Sequence, residues 1–198
     1  MKNMIGNKRK MTMIAVSVFF SALLIAADQI IKHIVSVNID YSTESVKVID
    51  DFFYIVHWHN TGAAWGAMSD FTWLLSCITV LASVGILYLM ICSKNKLLCT
   101  AFVLTFSGAI GNVIDRIRLG YVVDYLHFNN IFGYDFPAFN LADVCIVSGC
   151  IGLIICLIFV KKESYFEENT VAAKFFADGE NTDKIANDNG AETENKKE

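Results

Sequence analysis

The sequence lacks the motifs of several common metal and redox sites. Its six cysteines form no Cys-x-x-Cys pair, so neither a structural zinc site nor a dithiol redox site is indicated. It has no His-Glu-x-x-His motif, the zinc-binding signature of many metalloproteases. All six cysteines lie within or at the ends of apolar runs, where free thiols act as small hydrophobic side chains. We therefore expect structural thiols and neither a metal nor a cofactor.

The sequence is also poor in charge. Only 18% of its 198 residues are charged and 55% are hydrophobic, and the mean hydropathy of +0.47 is high for a soluble globular protein. Residues 163–198 hold ten acidic residues against four lysines, whereas residues 1–162 are slightly basic. A segment of such composition buries too little apolar area to offset the entropy of ordering. This predicts a membrane-embedded domain over residues 1–162 and an acidic, disordered cytoplasmic tail over residues 163–198.

Four apolar runs are long enough to cross a bilayer, at about residues 11–31, 71–92, 97–117 and 141–160. The first follows a basic start and contains Ala26-Ala27, so a cleavable secretory signal is an alternative. Its length approaches a full span and favours a retained helix. Basic residues flank the N-terminus, the turn at 93–96 and the end of the fourth run. This predicts that both termini are cytoplasmic and that loops 33–70 and 118–140 face outward.

The first outward loop contains two stretches rich in β-branched and aromatic residues, at 46–48 and 52–59, which predict short strands outside the lipid. The small residues of segment 60–66 favour a short interfacial helix or turn instead, with Trp65 at the level of the lipid headgroups. His57 and His59 alternate along a predicted strand and therefore share a face. No third metal ligand is evident beside them.

Polar residues cluster where the predicted helices meet the outward loops, and ionisable groups at such depth are expensive in a membrane. Each cluster has a structural interpretation: an i, i+4 ion pair, a hydrogen bond between helices, or a buried pair of opposite charges. The clusters are Asp28 with Lys32 after the first run, Asn60 in the first loop, Asn112 with Asp115 and Arg116 in the third run, Asp124 beyond it, and Asn140 with Asp143 at the start of the fourth.

Asp124 and Asp143 are harder to explain structurally. Asp143 lies inside the fourth apolar run, and Asp124 follows Tyr121-Val122-Val123, which is able to return to the outer interface. Two carboxyl groups brought together at low dielectric share a proton, because both cannot ionise cheaply. One then accepts a proton from water while the other donates one to the scissile carbonyl oxygen, as in an aspartic peptidase.

Two other classes of function fit less well. Ser107 lies in a predicted helix, but no histidine lies in any of the four runs to activate a serine nucleophile. A small proton- or ion-coupled transporter needs polar residues across the depth of the bilayer. Here the ionisable residues gather at the outer ends of the runs.

The sequence resembles the lipoprotein signal peptidase (signal peptidase II) family in four blocks that occur in the family's order over residues 28–143. The blocks are Asp28-Gln29-Ile30-Ile31-Lys32, Asn60-Thr61-Gly62-Ala63-Ala64-Trp65-Gly66, Gly108 to Arg116 with Gly120 and Val123-Asp124-Tyr125, and Pro137 to Asp143. The departures are mild: Ser107, Trp65 and Tyr125 stand where the family commonly has other residues. None of them removes a polar group from the site.

The resemblance implies an α-helical integral membrane protein with four transmembrane helices, a small extracytoplasmic β-rich element and a short interfacial helix. It also implies that Asp124 and Asp143 are catalytic. Further residues match positions that bind substrate or shape the site: Asp28, Lys32, Asn60, Gly62, Gly108, Asn112, Asp115, Arg116, Asn140 and Ala142.

The implied activity is removal of signal peptides from bacterial prolipoproteins, by cleavage just before a cysteine that carries diacylglycerol. The expected place is the cytoplasmic membrane, with the active site at its extracytoplasmic face. The expected partners are the prolipoprotein and membrane lipid, with no nucleic acid, and the protein is expected to be a monomer. The segment 61–66 with the preceding strands is a candidate lid over the scissile bond.

Overall fold

The computed structural model describes residues 2–43, 45–62, 72–129, 131, 133–161, 164–168 and 170–175, with side chains described from residue 8 onward. Four α-helices dominate it, and all four are long and apolar enough to cross a membrane. They are α1 (Lys2–Asn38), α2 (Thr72–Cys92), α3 (Lys96–Leu119) and α4 (Leu141–Phe159). The predicted four-helix membrane architecture is confirmed. The predicted interfacial helix and Trp65 fall in the segment 63–71, outside the described residues.

Helix α1 extends beyond the predicted end of its span at residue 31. Val35 and Ile39 follow Ile31 at intervals of four, so the three side chains lie on one face of the helix. Val35 and Ile39 are buried in a cluster with Val123 and Tyr125, against which Ile31 also packs. Burial of this apolar face carries the helix past the expected span.

Helix α3 is the centre of the bundle. Of its span, 67% is buried, compared with 22% or less in each of the other three helices, which expose apolar side chains in the manner of lipid-facing surfaces. The helix begins at Asn95, whose side chain accepts a hydrogen bond from Leu98 N at 3.1 Å. It ends at Gly120, whose left-handed conformation (φ 83°) suits glycine.

Helices α3 and α4 pack so closely that their contact depends on small residues. A Cβ atom on Gly149 would lie 2.7 Å from Thr105 N and 2.8 Å from Ala101 O, and one on Gly108 would collide with the backbone carbonyl of Ala142. Small residues allow membrane helices to approach in this way and gain van der Waals contact. The approach brings the start of α4 against the second half of α3.

The outward loops build a three-stranded antiparallel sheet of β1 (Ser45–Ile49), β2 (Phe53–Asn60) and β3 (Val122–Phe128), in the order β1-β2-β3. The strands predicted at 46–48 and 52–59 are confirmed as β1 and β2. Strand β3 was not predicted, because it lies in the segment interpreted as the outward loop 118–140. Its register pairs Trp58 with Asp124 and Asn60 with Val122. The sheet lies at the end of the bundle where α1 and α3 finish and α2 and α4 begin, which we call the sheet end.

The opposite end, which holds the turn between α2 and α3, is called the turn end. Here the predicted disordered tail requires a correction, because residues following α4 pack against the bundle. Tyr165 and Phe166 are buried beside Met90, and the Tyr165 hydroxyl donates to Cys156 O at 2.8 Å. The prediction of disorder rested on the acidic average composition of residues 163–198, which does not reveal these two aromatic side chains. Residues 176–198 lie outside the described residues.

We predict that Gly149→Ala destabilises the protein, because its Cβ must displace backbone atoms of α3. Overpacking of this kind costs about 1–3 kcal/mol, measurable as a lower thermal unfolding temperature in detergent. The matched control is Gly85→Ala in α2, where a Cβ atom meets nothing within 4 Å. Alanine favours helix over glycine, so the control should leave the unfolding temperature unchanged or raise it. Equal effects of the two substitutions would contradict the packing argument.

Candidate active site

The polar clusters that are separate in the sequence come together at the sheet end. Helices α1, α3 and α4 contribute side chains from their ends at the sheet, and strands β2 and β3 contribute one each. Their shared property is burial or half-burial beside apolar surface, so every polar atom needs a partner. The residues joined directly by hydrogen bonds or ion pairs are Asp28, Lys32, Asn60, Asn112, Asp115, Asp124, Asn140 and Asp143.

Asp124 lies on β3 and is only 4% exposed. Two side-chain amides donate to its carboxylate: Asn60 Nδ2 to Oδ2 at 2.9 Å and Asn140 Nδ2 to Oδ1 at 2.7 Å. Because Asn60 comes from β2 and Asn140 from the start of α4, this one carboxylate links the sheet to the helices.

Asp143 lies in the first turn of α4 and is half-buried. It forms a capping box with Asn140: Asn140 N donates to Asp143 Oδ2 at 3.1 Å, and Asp143 N donates to Asn140 Oδ1 at 3.0 Å. Its other carboxylate oxygen accepts from Asn112 Nδ2 at 2.8 Å. Asn140 thus donates its backbone N–H to one carboxylate and its side-chain N–H to the other.

The environment of Asp124 favours its protonated form. Burial, followed by the nearby charge of Asp143, raises the pKa of Asp124 to about 7, against the opposing effects of hydrogen bonds from Asn60 and Asn140 and the charge of Lys32. Near neutral pH this carboxyl group therefore exchanges a proton readily. A carboxyl group of this kind beside a second carboxylate is suited to paired acid and base chemistry.

Lys32 contacts the residues that hold Asp143 and the backbone next to Asp124. Its ammonium group is 3% exposed and lies 2.9 Å from Asp28 Oδ2, 2.9 Å from Asp115 Oδ2 and 2.9 Å from Asn112 Oδ1. The predicted ion pair between Asp28 and Lys32 is therefore present, within a larger group. Because Asn112 Oδ1 accepts from Lys32, the amide of Asn112 must turn its Nδ2 toward Asp143.

The two acidic partners of Lys32 also hold backbone. Asp28 Oδ1 accepts from Ala142 N at 3.0 Å, which fixes the start of α4 against α1. Asp115 Oδ2 accepts from Val123 N at 3.2 Å, which fixes β3 next to Asp124. A Cβ atom on Gly111 would lie 2.7 Å from Asp28 Oδ2, so the closeness of α1 and α3 requires glycine there.

Arg116 takes a different direction from its neighbours on α3. Its Nη2 donates to Gly62 O at 2.9 Å, and Gly62 N donates to Asn60 Oδ1 at 3.0 Å. The second bond orients the Asn60 amide so that its Nδ2 points at Asp124. The cluster of Asn112, Asp115 and Arg116 in the third run thus divides into two groups: the first two contact Lys32, and Arg116 holds the end of β2.

Two site residues were not singled out from the sequence. Gln29 Nε2 donates to Asp115 Oδ1 at 2.9 Å and to Gly111 O at 3.2 Å, and its position inside the Asp28–Lys32 block was the available signal. The Tyr125 hydroxyl accepts from Leu141 N at 3.1 Å, satisfying a free N–H at the start of α4. Burial raises the pKa of Tyr125 to about 12, so the hydroxyl remains neutral.

His57 and His59 lie on β2 just before Asn60, with their Nε2 atoms 3.2 Å apart. Burial, followed by the proximity of His57, lowers the pKa of His59. Among the residues that the structure describes, no group of three His, Cys, Asp or Glu side chains is arranged to hold a metal ion.

The chain is similar to known proteins. The family model for signal peptidase (SPase) II matches residues 20–159. Lipoprotein signal peptidases of Staphylococcus aureus strains Newman and N315 are each 37% identical to the chain over 147 residues, covering 73% of this chain and 89% of theirs.

Solved structures agree with the sequence relatives. Two bacterial membrane enzymes determined by the in meso method are each 36% identical to the chain, with TM-scores of 0.68 and 0.66. They cover 73% and 74% of this chain and are themselves covered to 88% and 95%. The chain therefore belongs to the signal peptidase II family of lipoprotein signal peptidases and is a multi-pass membrane peptidase.

Proposed function

We propose that this peptidase removes signal peptides from prolipoproteins by cleaving before the diacylglyceryl-modified cysteine, with Asp124 and Asp143 activating the water. The observation that carries the proposal is the position of Asn140. Its backbone N–H donates to Asp143 at 3.1 Å and its side chain donates to Asp124 at 2.7 Å. One residue thus holds two carboxyl groups from different elements, β3 and α4, in a single site.

The two carboxyl groups have different surroundings, which supports different roles. Asp143 lies at the N-terminus of α4, where the helix dipole and the capping N–H of Asn140 stabilise a negative charge. The charge of Lys32 reaches it through Asn112. Asp124, which is 4% exposed and has a pKa of about 7, holds the proton in this scheme. Asp143 is therefore the base and Asp124 the acid in the first step.

The steps follow from this assignment. Asp143 takes a proton from water as the water oxygen attacks the scissile carbonyl carbon, and Asp124 gives its proton to the carbonyl oxygen, which yields a neutral tetrahedral diol. Asp143 then passes its proton to the leaving nitrogen while Asp124 takes one back from a diol hydroxyl, and the C–N bond breaks. Both groups return to their starting protonation states.

The position of the site suits a substrate that remains in lipid. The carboxyl groups lie at the sheet end, beside the apolar ends of α1, α3 and α4. A signal helix and two acyl chains can therefore stay in the bilayer while the peptide bond reaches the site. The basic residues beside the N-terminus, at 93–96 and after α4 support a cytoplasmic position of the turn end. The active site then faces the extracytoplasmic side, and a single copy of the chain supplies every residue in this scheme.

The dyad predicts that Asp124→Asn and Asp143→Asn each reduce turnover of a diacylglyceryl-modified lipobox peptide by at least about 10²–10⁴-fold, the usual contribution of one acid–base group. Cleavage in detergent is followed by mass spectrometry, and thermal unfolding verifies that each variant is folded. The matched control is Asp135→Asn, which removes an exposed carboxylate that pairs with His127. It should cleave at the wild-type rate, and normal cleavage by either dyad variant would refute the mechanism.

The assignment of Asp124 as the acid predicts a pH dependence. Activity should fall as the pH rises through about 7, because Asp124 then loses the proton that it must donate. The hydrogen bond from Asn60 stabilises the ionised form and lowers this pKa. Asn60→Ala should therefore move the alkaline limb of the kcat/KM profile to higher pH, in addition to lowering the maximum.

The control for this profile is Asn38→Ala, because the Asn38 side chain bonds only to Ile34 O within its own helix in the described structure. Its alkaline limb should coincide with that of the wild type. An alkaline limb that stays in place in Asn60→Ala while the acidic limb moves to higher pH would show that Asp124 works in its ionised form.

A further inference from the structure

The histidine pair on β2 takes no part in the proposed peptide cleavage. His57 and His59 are two residues apart on one strand, and their Nε2 atoms face each other at 3.2 Å. Their rings are steeply inclined, at 67°, with centroids 5.0 Å apart. Two ring nitrogens therefore lie close enough together to share one ligand.

The first histidine is held in the orientation of a metal ligand. His57 is buried, and its Nδ1 lies 2.9 Å from Ile39 O at the end of α1. A carbonyl oxygen only accepts, so Nδ1 carries the proton and Nε2 of the neutral ring keeps a free lone pair. A metal-binding histidine characteristically uses its second nitrogen in this way to fix its tautomer and ring orientation.

The second histidine is clamped by aromatic rings. His59 stacks on Tyr41 at a centroid distance of 3.9 Å and on Tyr121 at 3.6 Å, with interplanar angles of 20° and 17°. Tyr41 follows α1 and Tyr121 precedes β3. The imidazole ring of His59 is therefore held in place by the fold without a bound ion. Little ordering of side chains then remains to be done when an ion binds.

The distance between the two nitrogens fits one metal ion. With Zn–N bonds of about 2.0–2.1 Å, nitrogens 3.2 Å apart subtend an angle of about 100° at the metal. That angle is close to tetrahedral, so both nitrogens can bind one ion without moving apart. Without an ion, His59 Nε2 donates to His57 Nε2; with one, the proton of His59 occupies Nδ1 instead.

We propose that His57 and His59 form a binding site for a Zn²⁺-like transition-metal cation, with water in the remaining coordination positions. Among the described residues no third His, Cys, Asp or Glu joins the pair, so the expected affinity is moderate. Imidazole ligands select borderline transition metals, whereas Mg²⁺ and Ca²⁺ require oxygen ligands. This metal site is separate from the carboxyl groups of Asp124 and Asp143 and does not rest on their proposed role.

The test is calorimetric titration of the full-length protein in detergent with zinc chloride, and with magnesium chloride as the hard-cation control. We expect one Zn²⁺ per chain and no response to Mg²⁺. His59→Gln should weaken the binding at least about tenfold, since one of two imidazole ligands is lost. The matched control is His33→Gln, on the exposed outer part of α1, which should bind Zn²⁺ as the wild type does.

A second measurement on the wild type covers the case in which His59→Gln fails to fold, which thermal unfolding without metal reveals. X-ray absorption of the zinc-loaded protein should show two imidazole nitrogens and no sulfur. Zinc–sulfur bonds would overturn the proposal, because they would place the ion on cysteines. Equal zinc affinity in folded His59→Gln and wild type, or no binding below millimolar zinc, would show that the histidines only bond to each other.

Discussion

The buried ammonium group of Lys32 is the interaction on which the rest of the site depends. A charge that is 3% exposed is stable only when its partners surround it, and here three oxygen atoms do so at 2.9 Å. Removing one member of a buried ion pair commonly costs about 3–5 kcal/mol. Each of the three partners also holds something else: Asp28 the start of α4, Asp115 the backbone of β3, and Asn112 the carboxylate of Asp143. One lysine thus helps to fix α4 and β3 relative to α1 and α3.

Asn112 shows how this charge is used at a distance. Its oxygen accepts from Lys32 and its nitrogen donates to Asp143, so the amide carries the influence of the cation to the carboxylate without an ion pair between them. Asp124 accepts instead from the side-chain amides of Asn60 and Asn140. In the described structure the two carboxylates therefore differ in their hydrogen-bond partners, and only Asp143 is joined to Lys32 through a single amide.

The four helices were predictable from sequence because each is a long apolar run, and hydropathy alone specifies such elements. The polar residues were predictable because Asp28, Asn112 and Asp143 are polar side chains within apolar runs. Strand β3 was missed because its apolar residues, Val122 and Val123, follow the third helix too closely to stand out.

The partners of each polar residue were not predictable, since they depend on how the helices approach in three dimensions. Spacing shows that Asp115 and Arg116 lie near Asn112 on one helix. It does not show that one contacts Lys32 and the other Gly62. Gln29 was overlooked because an uncharged side chain at the end of an apolar run does not stand out in the sequence.

The packing of Tyr165 and Phe166 at the turn end has a mechanical consequence. The backbone carbonyl of Tyr165 accepts from Lys94 N at 2.9 Å, and Glu167 N donates to Cys92 O at 3.1 Å. These hydrogen bonds join the segment after α4 to the turn between α2 and α3. Three of the four helices are thereby fastened together at one end. We therefore expect α2, α3 and α4 to separate more easily at the sheet end, where the two aspartates lie, than at the turn end.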